Sequence, residues 1–144
     1  MDIKEYKYKL CIPCSILNHY ELCRNDDSYI YCSREEELLA LASSLSLNIK
    51  NRPLVMMQNS GFVNTINTFT SLVKAYDFKF DIIISVRGEI NEHNKVQKVL
   101  GESFKKIIYA LEKNIFIANS KDDLNSIMRD LDNNELNIIL LYKG

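Results

Sequence analysis

Glycine is scarce, with four in 144 residues. They stand at Gly61, Gly88, Gly101 and Gly144, so no glycine-rich loop exists to cradle a diphosphate, and neither a dinucleotide-binding fingerprint nor a P-loop is present. Histidine is scarcer still, with two. His19 and His93 lie far apart and beside no nucleophile of recognisable context, which leaves a hydrolase triad without support and makes both surface residues by expectation. Charge of one sign is also lacking: 18 basic against 19 acidic residues give a formal net charge of −1. That balance excludes a broad footprint for nucleic acid or an anionic membrane, so any bound anion must be held locally. No apolar run approaches the roughly 20 residues that span a bilayer. The opening Met1-Asp-Ile-Lys-Glu has neither the basic region nor the apolar run of a secretory leader, and the expected location is cytoplasmic.

What is present suits one packed domain covering residues 1–144. With 47% hydrophobic residues, a chain of this length buries roughly two-thirds of its unfolded surface. All four cysteines, Cys11, Cys14, Cys23 and Cys32, fall in the first quarter. The Cys-x-x-Cys spacing hints at zinc or redox work, but the second pair lacks the close spacing of a zinc knuckle. Cys11 falls inside an apolar run, and the four are read as reduced structural thiols, with no metal site.

Apolar runs of strand length alternate with stretches of helical period, the pattern that builds crossover units and a parallel sheet. Strands are expected at 8–12, 29–32, 53–57, 80–86, 115–118 and 137–141. Helices are expected at 15–23, at about 34–47 with Leu38, Leu41, Ala42 and Leu45 inward, and after the third strand with Phe62, Ile66, Phe69 and Val73 buried. Two more follow, at 102–112 and around Leu124, Ile127, Met128 and Leu131. The stretch from Gly88 to about Val96 reads as the longest polar loop. The expected fold is α/β, with three layers (α/β/α) around a six-stranded, mainly parallel sheet.

Ligands of open parallel sheets bind outside the carboxyl ends of the strands. The residues just after the strands are Pro13-Cys14-Ser15, Ser33-Arg34-Glu35-Glu36, Gln58-Asn59-Ser60-Gly61 and Arg87-Gly88-Glu89, and four polar clusters are expected to meet along one edge. Two of them also have plain structural readings. Ser33 with Glu36 three residues later forms a capping box, and Ser60 is a helix cap for free backbone amides.

In order, Ile12-Pro13-Cys14-Ser15-Ile16-Leu17, Arg34-Glu35, Met56-Met57-Gln58-Asn59-Ser60-Gly61 and Val86-Arg87-Gly88-Glu89 resemble successive motifs of the thiamine-diphosphate-dependent phosphonopyruvate and sulfopyruvate decarboxylases. Asn64 and Asn67 extend the third motif at the family's spacing, and Leu140 to Gly144 looks like the end of the same pyrimidine-binding domain. The resemblance implies an alpha subunit that decarboxylates a small anionic 2-oxo acid with thiamine diphosphate and magnesium. Both would be anchored mainly by a beta subunit, in a hetero-oligomer holding at least two alpha chains, and the alpha chain alone would be inactive.

By matching positions, the resemblance makes Glu35 the catalytic carboxyl at the N1′ nitrogen of the aminopyrimidine. Pro13, Cys14, Gln58, Asn59, Ser60 and Gly61 become cofactor contacts, and Ser15 and Arg87 contacts to the substrate's second anion. Arg87, read without the resemblance, pairs with Glu89 or with a carboxylate of the beta subunit. Phosphonopyruvate is favoured as substrate, with sulfopyruvate as the alternative. Glu36 and Val63 replace glycines of the family pattern, and Glu92-His93-Asn94-Lys95 departs from its Glu-Pro-Gln-His element. Glu36 and Val63, together with the near absence of the family's helix before the first strand, favour a rival reading, a binding or scaffold subunit that keeps only the fold.

Overall fold

A computed structural model describes residues 2–48, 50–90 and 92–144. In chain order the elements are β1 (Lys9–Cys11), α1 (Ser15–His19), β2 (Tyr29–Tyr31), α2 (Glu35–Ser46), β3 (Leu54–Gln58), α3 (Asn59–Asn64) and α4 (Ile66–Thr68). A π-helical segment (Phe69–Lys74), β4 (Asp81–Ser85), α5 (Lys95–Leu111), β5 (Ile115–Ala118), α6 (Lys121–Asp130) and β6 (Asn137–Leu141) complete the chain. The six strands form one sheet in the order β2-β1-β3-β4-β6-β5, and every pairing is parallel.

Alternation along the strands divides the core into two layers, because successive strand side chains point to opposite faces. Val55, Met57, Ile82, Ile84, Ile138 and Leu140 face α2, α3, the π-helical segment and α5. Met56, Ile83, Ile139 and Leu141 face α1 and α6, where Leu17, Leu124 and Met128 close the second layer. All five β4 residues are buried, as expected of a strand covered on both sides. Phe62 of α3 meets Phe69 edge-on at 5.2 Å and Phe104 of α5 at 6.3 Å, so the helix after β3 is pinned against its neighbours.

Several expected boundaries shift. The first helix stops at His19 instead of 23, because Tyr20 ends it and Glu21 adopts a left-handed φ of 56° that turns the chain away. On α2 the buried face is Leu38, Leu39, Ala42 and Ser43, with Leu41 and Leu45 only partly covered. The single helix expected after β3 breaks at Thr65, whose hydroxyl donates to the Phe62 carbonyl at 2.7 Å. Thr70 and Ser71 then bond back to the Ile66 and Asn67 carbonyls. Such bonds compete with regular winding, and in the resulting π turn Ile66 is left half-buried.

The largest departure is α5, which starts at Lys95, seven residues before the expected 102. Asn94 caps it by accepting from the Val96 amide at 3.0 Å. Val96 and Val99 are 79% and 73% exposed, which hides the helical period of the first turns. Gly101 looks like a breaker but serves contact: a Cβ there would come within 2.5 Å of the Gly88 Cα. Gly88 itself has φ +96°, a conformation side chains rarely adopt, so the β4 exit and α5 touch backbone to backbone.

Opposite the carboxyl edge, a buried network fixes the amino ends of the strands. Asp81, fully buried, accepts from Tyr6 at 2.6 Å, from Asn137 at 2.7 Å, and from Arg52 Nε at 2.8 Å and Nη2 at 2.6 Å. A cavity of about 560 Å³ beside Arg52 lies at this end, across the sheet from the polar clusters.

Candidate active site

The connection leaving β1 runs to α1 on one face of the sheet, and that leaving β3 runs to α3 on the other. Adjacent parallel strands whose connections part in this way open a crevice at their carboxyl ends. Pro13-Cys14-Ser15 and Gln58-Asn59-Ser60-Gly61 flank that crevice. Arg87 adjoins it from β4, and Glu35 reaches it from the start of α2, so the four clusters do converge.

Glu35 is free to reach the crevice because its neighbours are engaged locally. Arg34, not Ser33, is the N-cap, and the capping carboxylate is Glu37, not Glu36: its Oε2 accepts from the Ser33 and Arg34 amides, each at 3.2 Å. The shift follows from Ser33 staying outside the helix, which moves the third helical position one residue on. Glu36 pairs with Arg34 at 3.5 Å. The half-buried Glu35 side chain instead lies on the backbone of α3, where a Cβ on Gly61 would stand 2.6 Å from its Cγ and 2.7 Å from its Cδ. Only a residue without a side chain fits beneath this glutamate.

The rest of the third cluster is tied together. Gln58 Nε2 donates to Ser60 Oγ at 2.5 Å and to Gln97 Oε1 at 3.2 Å. Ser60 is therefore no helix cap: Gln58 occupies the N-cap position of α3 and makes no side-chain cap bond, and the Ser60 hydroxyl faces the Gln58 amide. Asn59, fully buried, makes a reciprocal pair with the Arg87 backbone, donating to its carbonyl at 2.9 Å and accepting from its amide at 3.2 Å. Its amide welds the β3 exit to the β4 exit and does not face the crevice.

Arg87 does not pair with Glu89, the partner expected within its own cluster. Its Nε and Nη2 grip Glu92 in a two-pronged pair, each at 2.9 Å, and Glu89 instead meets Lys105 at 3.6 Å. The Arg87 bonds, helped by the Asn94 amide, lower the Glu92 pKa from the usual carboxylate range. Two of the five guanidinium donors are thereby used, and the others are available to a ligand. Ser15, exposed at the start of α1, shares with Arg87 a cavity of about 500 Å³ whose lining includes Glu89, Glu92, Tyr142 and Lys143. Pro13 is exposed beside it, and the Cys14 thiol lies 2.9 Å from the Ser85 hydroxyl.

The histidines are exposed, as expected, and stand outside this cluster. Cys11 and Cys23 lie with their sulfurs 2.9 Å apart, and that contact, with burial, raises the Cys11 pKa. All four thiols are free. Among the described residues no group of three or more His, Cys, Asp or Glu is placed to hold a metal ion, and no helix is long and apolar enough to cross a membrane. Glu92, Gln97, Tyr142 and Lys143 were not foreseen as site residues. Glu92 left a trace in the sequence only within the Glu92-His93-Asn94-Lys95 departure, Tyr142 and Lys143 only within the closing Leu140 to Gly144 segment, and Gln97 left none.

The site is thus a glutamate seated over a Gln-Asn-Ser-Gly turn at the strand switch of an open parallel α/β domain. No protein-family model matches the chain. It is 34% identical over 134 residues to the sulfopyruvate decarboxylase subunit alpha of Methanococcus maripaludis, covering 91% of this chain and 78% of that protein. It is 33% identical over 104 residues to the same subunit of Methanocaldococcus jannaschii, covering 70% of this chain and 61% of that protein. The chain belongs to the family of sulfopyruvate decarboxylase alpha subunits. These relatives carry the name of the alternative, sulfopyruvate, and so favour it over the expected phosphonopyruvate.

Proposed function

We propose that the chain is the alpha subunit of a thiamine-diphosphate-dependent decarboxylase acting on sulfopyruvate, which loses carbon dioxide to leave sulfoacetaldehyde. The observation that carries this reading is the Glu35 carboxylate lying on Gly61 at the strand switch. The residues fit the pyrimidine half of the cofactor: a half-buried carboxyl, with no hydrogen-bond or ion-pair partner among the described residues, lies over a backbone cradle that any Cβ would fill. Thiamine diphosphate, when bound, supplies the carbon nucleophile and the electron sink for loss of carbon dioxide. Glu35 would hold and return the proton at the pyrimidine N1′ atom, while Gln58, Ser60, Pro13 and Cys14 form the walls around the ring. Asn59 positions Arg87, whose remaining donors and Ser15 would receive the sulfonate.

A beta subunit would anchor the diphosphate and its magnesium and complete the site, in a hetero-oligomer with at least two alpha chains. Support comes from the subunit names of the relatives. Against the scaffold reading stand the two departures themselves. Glu36 is turned to Arg34, and Val63 packs on the core, so neither takes the place of Glu35 over Gly61.

The test is Glu35→Gln in the alpha chain reconstituted with its beta subunit. Turnover of sulfopyruvate should fall by about 10²–10⁴, the usual share of a proton-transferring group, with the melting temperature unchanged. Full activity in Glu35→Gln, or loss confined to Glu36→Gln, would overturn the assignment.

A further inference from the structure

Cys11 is the last residue of β1 and Cys23 lies in the turn between α1 and β2, and the fold brings their sulfurs to 2.9 Å. The backbone is fixed at both places. Cys11 pairs in register with Tyr31 of β2 on one side and Met56 of β3 on the other. Around Cys23, the Leu22 amide donates to the Leu17 carbonyl at 2.9 Å, and the Arg24 carbonyl accepts from the Tyr31 hydroxyl at 2.5 Å. The other two thiols are placed differently: Cys14 Sγ lies 2.9 Å from the Ser85 hydroxyl, and Cys32 packs on the opposite face of the sheet.

Two thiols are too few to hold zinc, and among the described residues no third ligand stands by. A covalent sulfur–sulfur bond is roughly 2.05 Å long, so the two sulfurs need to approach by only about 0.9 Å. They are also unequal in a way that favours reaction. Cys11 is fully buried, whereas Cys23 is half-buried and can meet a reagent from solvent. As acceptor of the hydrogen bond between them, Cys23 is held below the usual thiol pKa, while Cys11, as its donor and by burial, is held above it. The thiolate is the attacking form, so Cys23 reacts first.

We propose that Cys11 and Cys23 are a modification site, a dithiol that closes to a disulfide within the native fold by exchange with a small disulfide. Cys23 loses its proton to solvent and its thiolate attacks one sulfur of the reagent, expelling the other sulfur as a thiolate and leaving a mixed disulfide on Cys23. The hydrogen bond that held the Cys11 proton is then gone. Cys11 releases that proton to solvent and attacks the Cys23 sulfur, which expels the second small thiolate. The two protons lost by the protein end on the two expelled sulfurs, and its two electrons reduce the reagent to two thiols. The loop so closed, residues 12–22, contains Pro13, Cys14 and Ser15, so the bond staples the β1 side of the crevice to the body of the domain. The site uses neither cofactor nor substrate and stands apart from the decarboxylase reading.

The test is oxidation of the full chain with oxidised glutathione, followed by alkylation with iodoacetamide during unfolding. All four thiols are free in the reduced chain. After oxidation, mass spectrometry should find two alkylated and two joined, with peptide mapping linking Cys11 to Cys23, and dithiothreitol should restore the original four. Closing a loop of this length should raise the melting temperature by roughly 10 °C. Cys23→Ser should remove both the bridge and the rise, and the double variant Cys14→Ser, Cys32→Ser should keep both. Four alkylated thiols after oxidation, in wild type or in a double variant left with only this pair, would overturn the proposal. So would a bridge to Cys14 or Cys32, a glutathione that stays on Cys23, or a bridge that lowers the melting temperature.

Discussion

Gly61→Ala separates the site from the fold more sharply than any change to a charged residue. The added Cβ would stand 2.6 Å from Glu35 Cγ, whereas ordinary contact begins at 3.4 Å, so the glutamate must retreat by about 0.8 Å. Alanine is roughly 1 kcal/mol better than glycine inside a helix, which favours α3. Overpacking costs about 1–3 kcal/mol, and here it falls at the low end because the half-buried Glu35 can swing toward solvent. The two effects nearly cancel, and the melting temperature should move by less than about 3 °C. Turnover is another matter, since displacing a reacting group by about 1 Å can cost about 10²-fold. In the reconstituted complex, Gly61→Ala should therefore keep its melting temperature and lose about 10² in turnover. Adding Glu35→Gln should cost little more than Glu35→Gln alone, because both changes remove one function. Full turnover in Gly61→Ala would refute the claim that this glycine exists to seat Glu35, and so would independent, multiplying losses in the double variant.

At the other end of the sheet, Asp81→Asn leaves the Arg52 guanidinium, 10% exposed, facing a neutral amide. Removing one member of a buried pair costs about 3–5 kcal/mol, so thermal denaturation should show a loss of roughly 10 °C. In alkali, Tyr29 and Tyr142, both pushed up to about 12, and Tyr6, raised further, keep protons that the unfolded chain releases near 10. The folded state then binds more protons than the unfolded one, so stability is intact below pH 10 and falls as the pH climbs toward 12. Urea midpoints across that range should decline, and less steeply for Tyr142→Phe.

The strands were legible because runs such as Ile82-Ile83-Ile84 have one meaning in a sheet covered on both faces, and β5 and β6 lie at the expected residues. Glu35 and the Gln58 to Gly61 turn stood out as polar clusters because they follow strands, and the carboxyl ends of the strands are where an open parallel sheet gathers such residues. The start of α5 could not, since Val96 and Val99 face outward and Gly101 mimics a stop. Neither could the grip of Glu92 on Arg87, nor the meeting of Cys11 with Cys23. Such facts depend on which side chains meet after folding, and nothing in the spacing of a polar loop specifies that. The same limit explains Ser33 and Ser60, whose hydroxyls suit a cap but whose places at the helix starts are taken by Arg34 and Gln58.

The contact between Gly88 and Gly101 has a mechanical meaning. Because backbone lies against backbone there, the turn carrying Arg87 is clamped to a helix of 17 residues and takes its position from it. Substitutions along the outer surface of that helix leave the clamp untouched, so the solvent side of α5 can vary freely while the corner around Arg87 keeps its shape. Enlarging either glycine would pry the two apart and carry Arg87 with the displaced turn. One pair of hydrogen atoms, in place of two side chains, thus sets the gauge of the whole corner.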